Sequence, residues 1–250
     1  MKKIIFAGLL AALFVIPVFA GVVISPFVGY TTVSMAQINH RLDFLNDTMF
    51  SPSSLKDIKT NYFQNAKFAG LDAGLVLAPG FNVGLRSEYI LAEGYVIGTS
   101  KSSGAIEKSG VDASLIPVMA GLSYVYGFAA SPFSIGVDAY AGWGFGKGEF
   151  YFQESDKDNI YTMRYTAPMS GGGLVVDSAI KCAYAFGSGL SIDLAVGYRH
   201  AKLDKLYSDK NATVMNPSWD KGKEAKTLEG KALTADFSGM TVKLGGNFSF

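Results

Sequence analysis

From Gly21 to the last residue, apolar and polar side chains alternate with a period of two in run after run, the mark of strands with one apolar and one polar face. The stretch Ala235 to Phe250 shows it most plainly. Met240, Val242, Leu244, Gly246, Phe248 and Phe250 alternate with Gly239, Thr241, Lys243, Gly245, Asn247 and Ser249. The same pattern predicts strands at about Val22–Val33, Lys67–Leu77, Phe81–Ala92, Val111–Tyr126, Phe133–Gln153, Tyr161–Phe186 and Leu190–Lys202. Ala78-Pro79-Gly80, the segment Phe128 to Pro132, and Gly187-Ser188-Gly189 read as short turns between them. The other connections are long, at about 35–66, 94–109, 148–170 and 203–234. In the first, Ile38, Leu42, Leu45 and Met49 recur at helical spacing and predict a short amphipathic helix. Pro26 is a blemish in the first strand, because it removes a ladder donor.

Assigning faces sharpens the pattern. One parity carries Leu71, Leu75, Leu85, Ile116, Val118, Leu122, Ile135, Val137, Ile180, Leu194 and Val196. The other carries the strand charges Asp72, Arg86, Glu88, Asp138, Asp177, Lys181, Asp193, Arg199 and Lys243. The apolar face also sorts its aromatics. Tyr30, Tyr89, Trp143, Phe145 and Tyr198 fall at one end of the expected spans, and Tyr124, Tyr126, Tyr184, Phe186 and Phe248 fall at the other. Two aromatic girdles bounding an apolar band, with alternating long and short connections, predict an all-β fold. It is an eight-stranded antiparallel up-and-down transmembrane β-barrel over residues 21–250, with the charges in its lumen. Five acids against four bases leave that lumen nearly neutral, which suits paired charges filling a narrow cylinder.

The front of the chain says where such a barrel goes. Met1-Lys2-Lys3 precedes an apolar run from Ile4 to Val18, and Val18-Phe19-Ala20 offers small residues at a cleavage site. Residues 1–20 are therefore expected to be a signal peptide, cleaved between Ala20 and Gly21. No later segment is apolar for long enough to span a membrane as a helix. The single cysteine, Cys182, can form no internal disulfide. A net charge of +1 presents no field for nucleic acid.

The segment from Leu115 to Tyr124, the stretch Phe237 to Gly246 and the terminal Phe250 resemble the small bacterial outer-membrane β-barrel family, which takes in opacity-type, outer-membrane-protein-A-like and porin-family domains. The resemblance covers the architecture of the whole mature chain and is carried by short motifs, specific for the barrel and weak for activity. It implies a place in the bacterial outer membrane among its lipid and lipopolysaccharide. It also implies insertion by the barrel assembly machinery, with Phe250 as the assembly signal. The expected role is structural or surface-interacting, through external loops that meet a surface ligand or host partner. A small porin is the alternative and a lipid A-modifying enzyme the third reading. For the last, the residues offer little. His200 is followed by Ala201 and Lys202 rather than a nucleophile, and His40 stands in the first long connection. Two histidines and one cysteine give no metal-ligand spacing, so no cofactor, metal or catalytic residue is expected. The loops hold what remains: Phe150, Tyr151, Phe152, Tyr161, Met163 and Tyr165 at an expected exposed hairpin, and interleaved lysines and acids from Asp204 to Lys231.

Overall fold

The computed structural model describes residues 21–156, 161–187, 189–211, 220–227 and 229–250, with 161–164 as backbone only. The expected signal peptide, including Ala20 of the cleavage pair, lies outside the described residues.

Strands β1 (Val22–Thr32), β3 (Asn65–Ala78), β4 (Phe81–Ser100), β5 (Ile106–Gly127), β6 (Phe133–Ser155), β7 (Tyr161–Gly187), β8 (Leu190–Leu203) and β11 (Gly239–Ser249) hydrogen-bond in sequence order into a ring. The ring has eight strands, all antiparallel. It closes between β11 and β1, where Ile24 pairs with Phe248 and Tyr30 with Val242. At the seam the Phe250 amide donates to Val22 O at 2.9 Å, and the Val22 amide returns a bond to Phe250 O at 3.2 Å. Near Pro26 the β1–β11 ladder is interrupted, and Ser25 Oγ bridges the break by donating to Asn247 Oδ1 at 2.6 Å. The strands are staggered. Following partners round the ring from Val22 through Leu75, Val83, Leu122, Ala139, Ser178 and Tyr198 leads to Met240, whose amide bonds Thr32 of β1 rather than Val22. Such a stagger tilts the strands by roughly 35–45° to the axis.

The strands differ greatly in length. β1 and β11 have 11 residues each, whereas β4, β5, β6 and β7 have 20, 22, 23 and 27. A membrane crossing takes ~9–11 residues. The four long strands therefore continue as a tall wall on the side away from the short turns. This corrects two expected loops: 94–109 and 148–170 are mostly strand. The reason is pairing, since Gly94 partners Val111 and Gly148 partners both Ala113 and Met169 within continuous ladders.

The tall wall is extended at both edges, by β2 (Leu55–Asn61) beside β4 and by β9 (Leu206–Ser208) beside β7, while β10 (Ala235–Asp236) pairs with β8. Across its inner face lies α1 (Ala36–Thr48). The helix buries Ile38, Arg41, Leu42 and Leu45, one face at the expected spacing, whereas Met49 falls beyond its end and is exposed. Asn39 fixes α1 to the chain before β3: its Nδ2 donates to Phe63 O at 3.0 Å and its Oδ1 accepts from the Phe63 amide at 2.9 Å. The Thr234 amide adds a bond to Gln37 Oε1 at 2.9 Å. In the short turn after β3, Gly80 takes φ 77, a conformation that costs a glycine nothing.

Candidate functional site

All nine strand charges face the inside of the ring, and eight join one network of ion pairs. Its cationic centre is Arg86 on β4. The guanidinium donates to both Asp72 oxygens at 2.7 Å, to Asp177 Oδ1 at 2.9 Å and to Asp138 Oδ2 at 3.2 Å. The anionic centre is Asp177 on β7, fully buried, which also meets Lys243 at 3.2 Å and Arg199 at 3.3 Å. Arg199 reaches on to Glu88, and Lys181 pairs with Asp138 at 2.7 Å. Asp193 stands at the edge, accepting from Asn247 Nδ2 at 2.9 Å. Register explains the meeting: Asp72 is the direct partner of Arg86, and Asp177 of Arg199, on neighbouring strands.

Aromatic rings complete this layer. Arg86 lies 3.9 Å from the Tyr140 ring centre and 5.5 Å from Phe27, and Arg199 lies 4.9 Å from Phe68. Phe27 and Phe68 meet edge to face at 6.1 Å. Each lies over a glycine, Phe27 over Gly70 and Phe68 over Gly29, where a Cβ would come within 2.5 Å of the ring. Sequence reasoning missed these rings. Their inward parity was legible, but inward aromatics carry no chemistry until the guanidinium beneath them is seen.

Beneath the network a cavity of about 220 Å³, lined by Ser25, Asn82, Ser123, Asp193 and Asn247 among others, opens toward the short turns. Above it the interior changes character. Phe68, Ile90, Leu115 and Val175 face inward and are buried, followed by Val96, Val111, Phe150 and Leu203. These pack with Leu42, Leu45, Phe63 and Phe237 of the cap into one apolar core. The lumen is thus filled by two layers in series, charges below and hydrocarbon above. The expectation of paired charges described only the lower one.

The exterior carries the aromatics. Tyr124, Tyr126, Tyr184, Phe186 and Phe248 are exposed beside the short turns, with Tyr126–Phe128, Phe133–Tyr184 and Tyr184–Phe186 in edge contact at 5.5, 5.0 and 5.0 Å. Tyr30, Tyr89, Trp143, Phe145 and Tyr198 are exposed one span away. Tyr89, Trp143 and Phe145 lie in mid-strand rather than at strand ends, because β4 and β6 run on beyond them. Phe250 is the most exposed large apolar residue described, at 79 %.

The aromatic hairpin is corrected. Phe150 is fully buried in the cap core and Tyr151 is 3 % exposed, whereas Tyr165 is exposed. The side chains of Tyr161 and Met163 lie outside the described residues. Phe150 lies against Arg41, a cation buried in the cap, whose Cζ is 4.9 Å from the ring centre. Burial lowers the Arg41 pKa to about 10, so it stays charged at neutral pH. Lysines of the last loop pair with acids at its exposed surface, Lys223 with Asp220 at 3.3 Å and Lys231 with Glu229 at 2.7 Å. His40 and His200 are exposed, on α1 and on the outer face of β8.

Neither a family model nor a curated protein matches the chain. Solved structures do. The outer membrane protein OprG from Pseudomonas aeruginosa aligns with 92% of this chain and 96% of its own, at 12% identity and a TM-score of 0.46. Ail, the attachment invasion locus protein of Yersinia pestis, aligns with 91% of this chain and 98% of its own, at 13% identity and a TM-score of 0.41. The outer membrane protease OmpT from Escherichia coli covers 92% of this chain and 96% of its own, at 9% identity and a TM-score of 0.40. The likeness is confined to the fold.

Proposed function

We propose that this chain is an integral barrel of the bacterial outer membrane with a structural or surface-interaction role, and that it neither conducts solutes nor catalyses a reaction. The observation carrying this reading is the double filling of the lumen: a path along the axis meets the Arg86–Asp177 network and then the core around Leu115 and Phe150. The exposed apolar band between the aromatic residues supports membrane insertion, since lipid is the solvent in which Leu85, Val118, Val137 and Leu194 are favourably exposed. The tall wall and its cap then stand outside the cell, and their surface is where a ligand or host partner is met. Phe250, exposed beside the closing seam, is the assembly signal read by the barrel assembly machinery.

Recording in planar bilayers tests the reading. Purified protein inserted into a bilayer is expected to stay silent, while the same preparation shows a folded, heat-modifiable band on a gel. Steady unitary conductance from the folded protein would overturn the sealed-lumen reading in favour of a small porin.

A further inference from the structure

Five acids and four bases face the lumen, and the ion pairs share the four bases among four of the acids. The fifth acid is Asp193 on β8, and among the described residues no ion pair includes it. Its partner across β7 is Ala183 rather than a base. Lys181, two residues further along β7, is held by Asp138 and by Ser123 Oγ, each at 2.7 Å. The wall around this layer meets lipid, so one carboxylate in excess stands where a net charge is poorly screened. Neutral polar groups surround it instead. Asp193 lies opposite Gly245 on β11, where a Cβ would come 2.7 Å from Asp193 Oδ1, so the glycine leaves room for the carboxylate. Asn247 donates to Asp193 Oδ1 at 2.9 Å and to Ser191 Oγ at 3.2 Å, and Ser25 Oγ donates to Asn247 Oδ1 at 2.6 Å. These contacts run from β8 over β11 to β1, across the interruption in the β1–β11 ladder. All of these residues line the 220 Å³ cavity beneath the network, so water and ions reach Asp193 while Asp177 and Glu88 are covered.

We propose that this cavity binds one small monovalent cation, an alkali ion or a primary ammonium group, against Asp193. One positive charge brings the lumen to neutrality. A divalent ion overshoots, and hard divalent ions ordinarily draw on several carboxylates. Here one carboxylate is offered, and Lys181 and Lys243 line the same cavity and repel a second charge. Ser25, Ser191 and Asn247 supply neutral oxygens beside it. The volume admits the ion with part of its water shell, at about 30 Å³ per water. Because its neighbours come from β8, β11 and β1, the bound cation braces the closing seam where Pro26 weakens it.

The test is urea unfolding of the full chain folded in a non-ionic detergent, in the chlorides of sodium, potassium, methylammonium or tetraethylammonium. Equal ionic strength holds general screening constant, and the ethyl groups of the last cation keep its charge away from the carboxylate. At ten times its dissociation constant a bound ion multiplies the folding equilibrium about elevenfold. The midpoint is therefore expected to rise by about 0.5 M urea above that in tetraethylammonium chloride. A rise with sodium or potassium supports an alkali ion, and a rise with methylammonium alone supports an ammonium group. Asp193→Asn keeps an acceptor for Asn247. It is expected to abolish the rise and to lift the midpoint in tetraethylammonium chloride, because it removes the excess charge. A carboxylate that served only to hold Asn247 would give the opposite, a lower midpoint in every salt, and that result would overturn the proposal. Asp204→Asn, at an exposed position after β8, is expected to leave the rise intact. If Asp193→Asn misfolds, sodium NMR of the unmodified chain reads the same binding. Its line is expected to broaden with protein and to sharpen again on adding potassium or methylammonium, but not tetraethylammonium. Equal midpoints in all four salts, a rise that survives Asp193→Asn, a larger rise in magnesium chloride, or a sodium line that the protein leaves sharp while methylammonium also has no effect on the midpoint would each overturn the proposal.

Discussion

The same strands are built on opposite rules below and above Tyr89. On β4, Arg86 and Glu88 point inward and Leu85 and Tyr89 point out; a few residues on, Ile90, Ala92 and Val96 point inward and Glu93 points out. The parity never slips, so the inversion is not a bulge or a register shift. What changes is the solvent. Below Tyr89 the outer face meets lipid, where a charge costs about 2–4 kcal/mol at the midplane, so charges turn to the lumen and must find partners there. Above it the outer face meets water, and the ordinary preference returns, with hydrocarbon inside and charge outside. One cylinder therefore holds a membrane protein and a water-soluble one in series. The two fillings also hold the fold in different ways. An apolar layer stabilises in proportion to the area it buries. A buried ion network contributes little net energy, but removing one member leaves the others uncompensated.

Breaking each layer in turn should expose that difference. Arg86→Ala leaves Asp72 without an ion pair and takes one cationic partner each from Asp138 and Asp177, and is expected to cost about 3–5 kcal/mol in urea unfolding of the detergent-folded barrel. Adding Asp72→Asn should return part of that loss, because it neutralises the carboxylate that Arg86 leaves without an ion pair. Leu115→Ala, in the upper layer, is expected to cost about 3 kcal/mol through its cavity, and no second polar substitution should restore it. If both losses were recovered equally by charge-neutralising partners, the two layers would not differ as described.

The lower layer was legible because its signal is local and periodic. Lys243 alternates with Val242 and Leu244 on a clean strand, and the parity of a charge in an apolar alternation tells where it points. The upper layer was not legible, for three physical reasons visible in particular residues. Gly94, Gly98 and Gly104 read as loop, yet Gly98 is a strand residue whose missing side chain makes room for Leu55 and Ile58 of β2. Phe150, Tyr151 and Phe152 are consecutive aromatics, so no alternation shows which is inside. Arg41 reads as one charge on an amphipathic helix, and only the fold shows its guanidinium inside the cap against Phe150. Long-range packing decides each of these, and a window of neighbours does not contain it.

The cap can be loosened without touching either layer. Asn39→Ala removes both bonds to the Phe63 backbone and leaves a carbonyl and an amide in a partly buried place without that partner. A loss of about 1–3 kcal/mol is expected. Hydrogen exchange should locate it: amides of α1 exchange faster while those of β1 and β11 keep their protection. Equal acceleration throughout would mean that the cap and the barrel unfold as one unit, and the boundary drawn at Tyr89 would lose its energetic meaning.

The smallest effect concerns the rim of the tall wall, where Glu107 and Glu154 are direct partners on β5 and β6. Burial first, and then the neighbouring Glu154 carboxylate, raise the Glu107 pKa above the ordinary glutamate value. A carboxyl whose folded pKa is raised binds its proton more tightly folded than unfolded. Its contribution is therefore favourable at low pH and is lost as pH rises from the unfolded value through the folded one. At neutral pH the pair is a liability, kept small because the site is largely in water. Glu107→Gln is accordingly expected to stabilise the barrel by at most a few tenths of a kcal/mol at pH 7, and to be neutral near pH 3. Urea midpoints at the two pH values measure the difference. The same substitution should leave the Arg86 and Leu115 losses unchanged, since sites this far apart with no shared partner contribute additively. A gain that persisted unchanged at pH 3 would show that the repulsion between these two carboxylates is not its source.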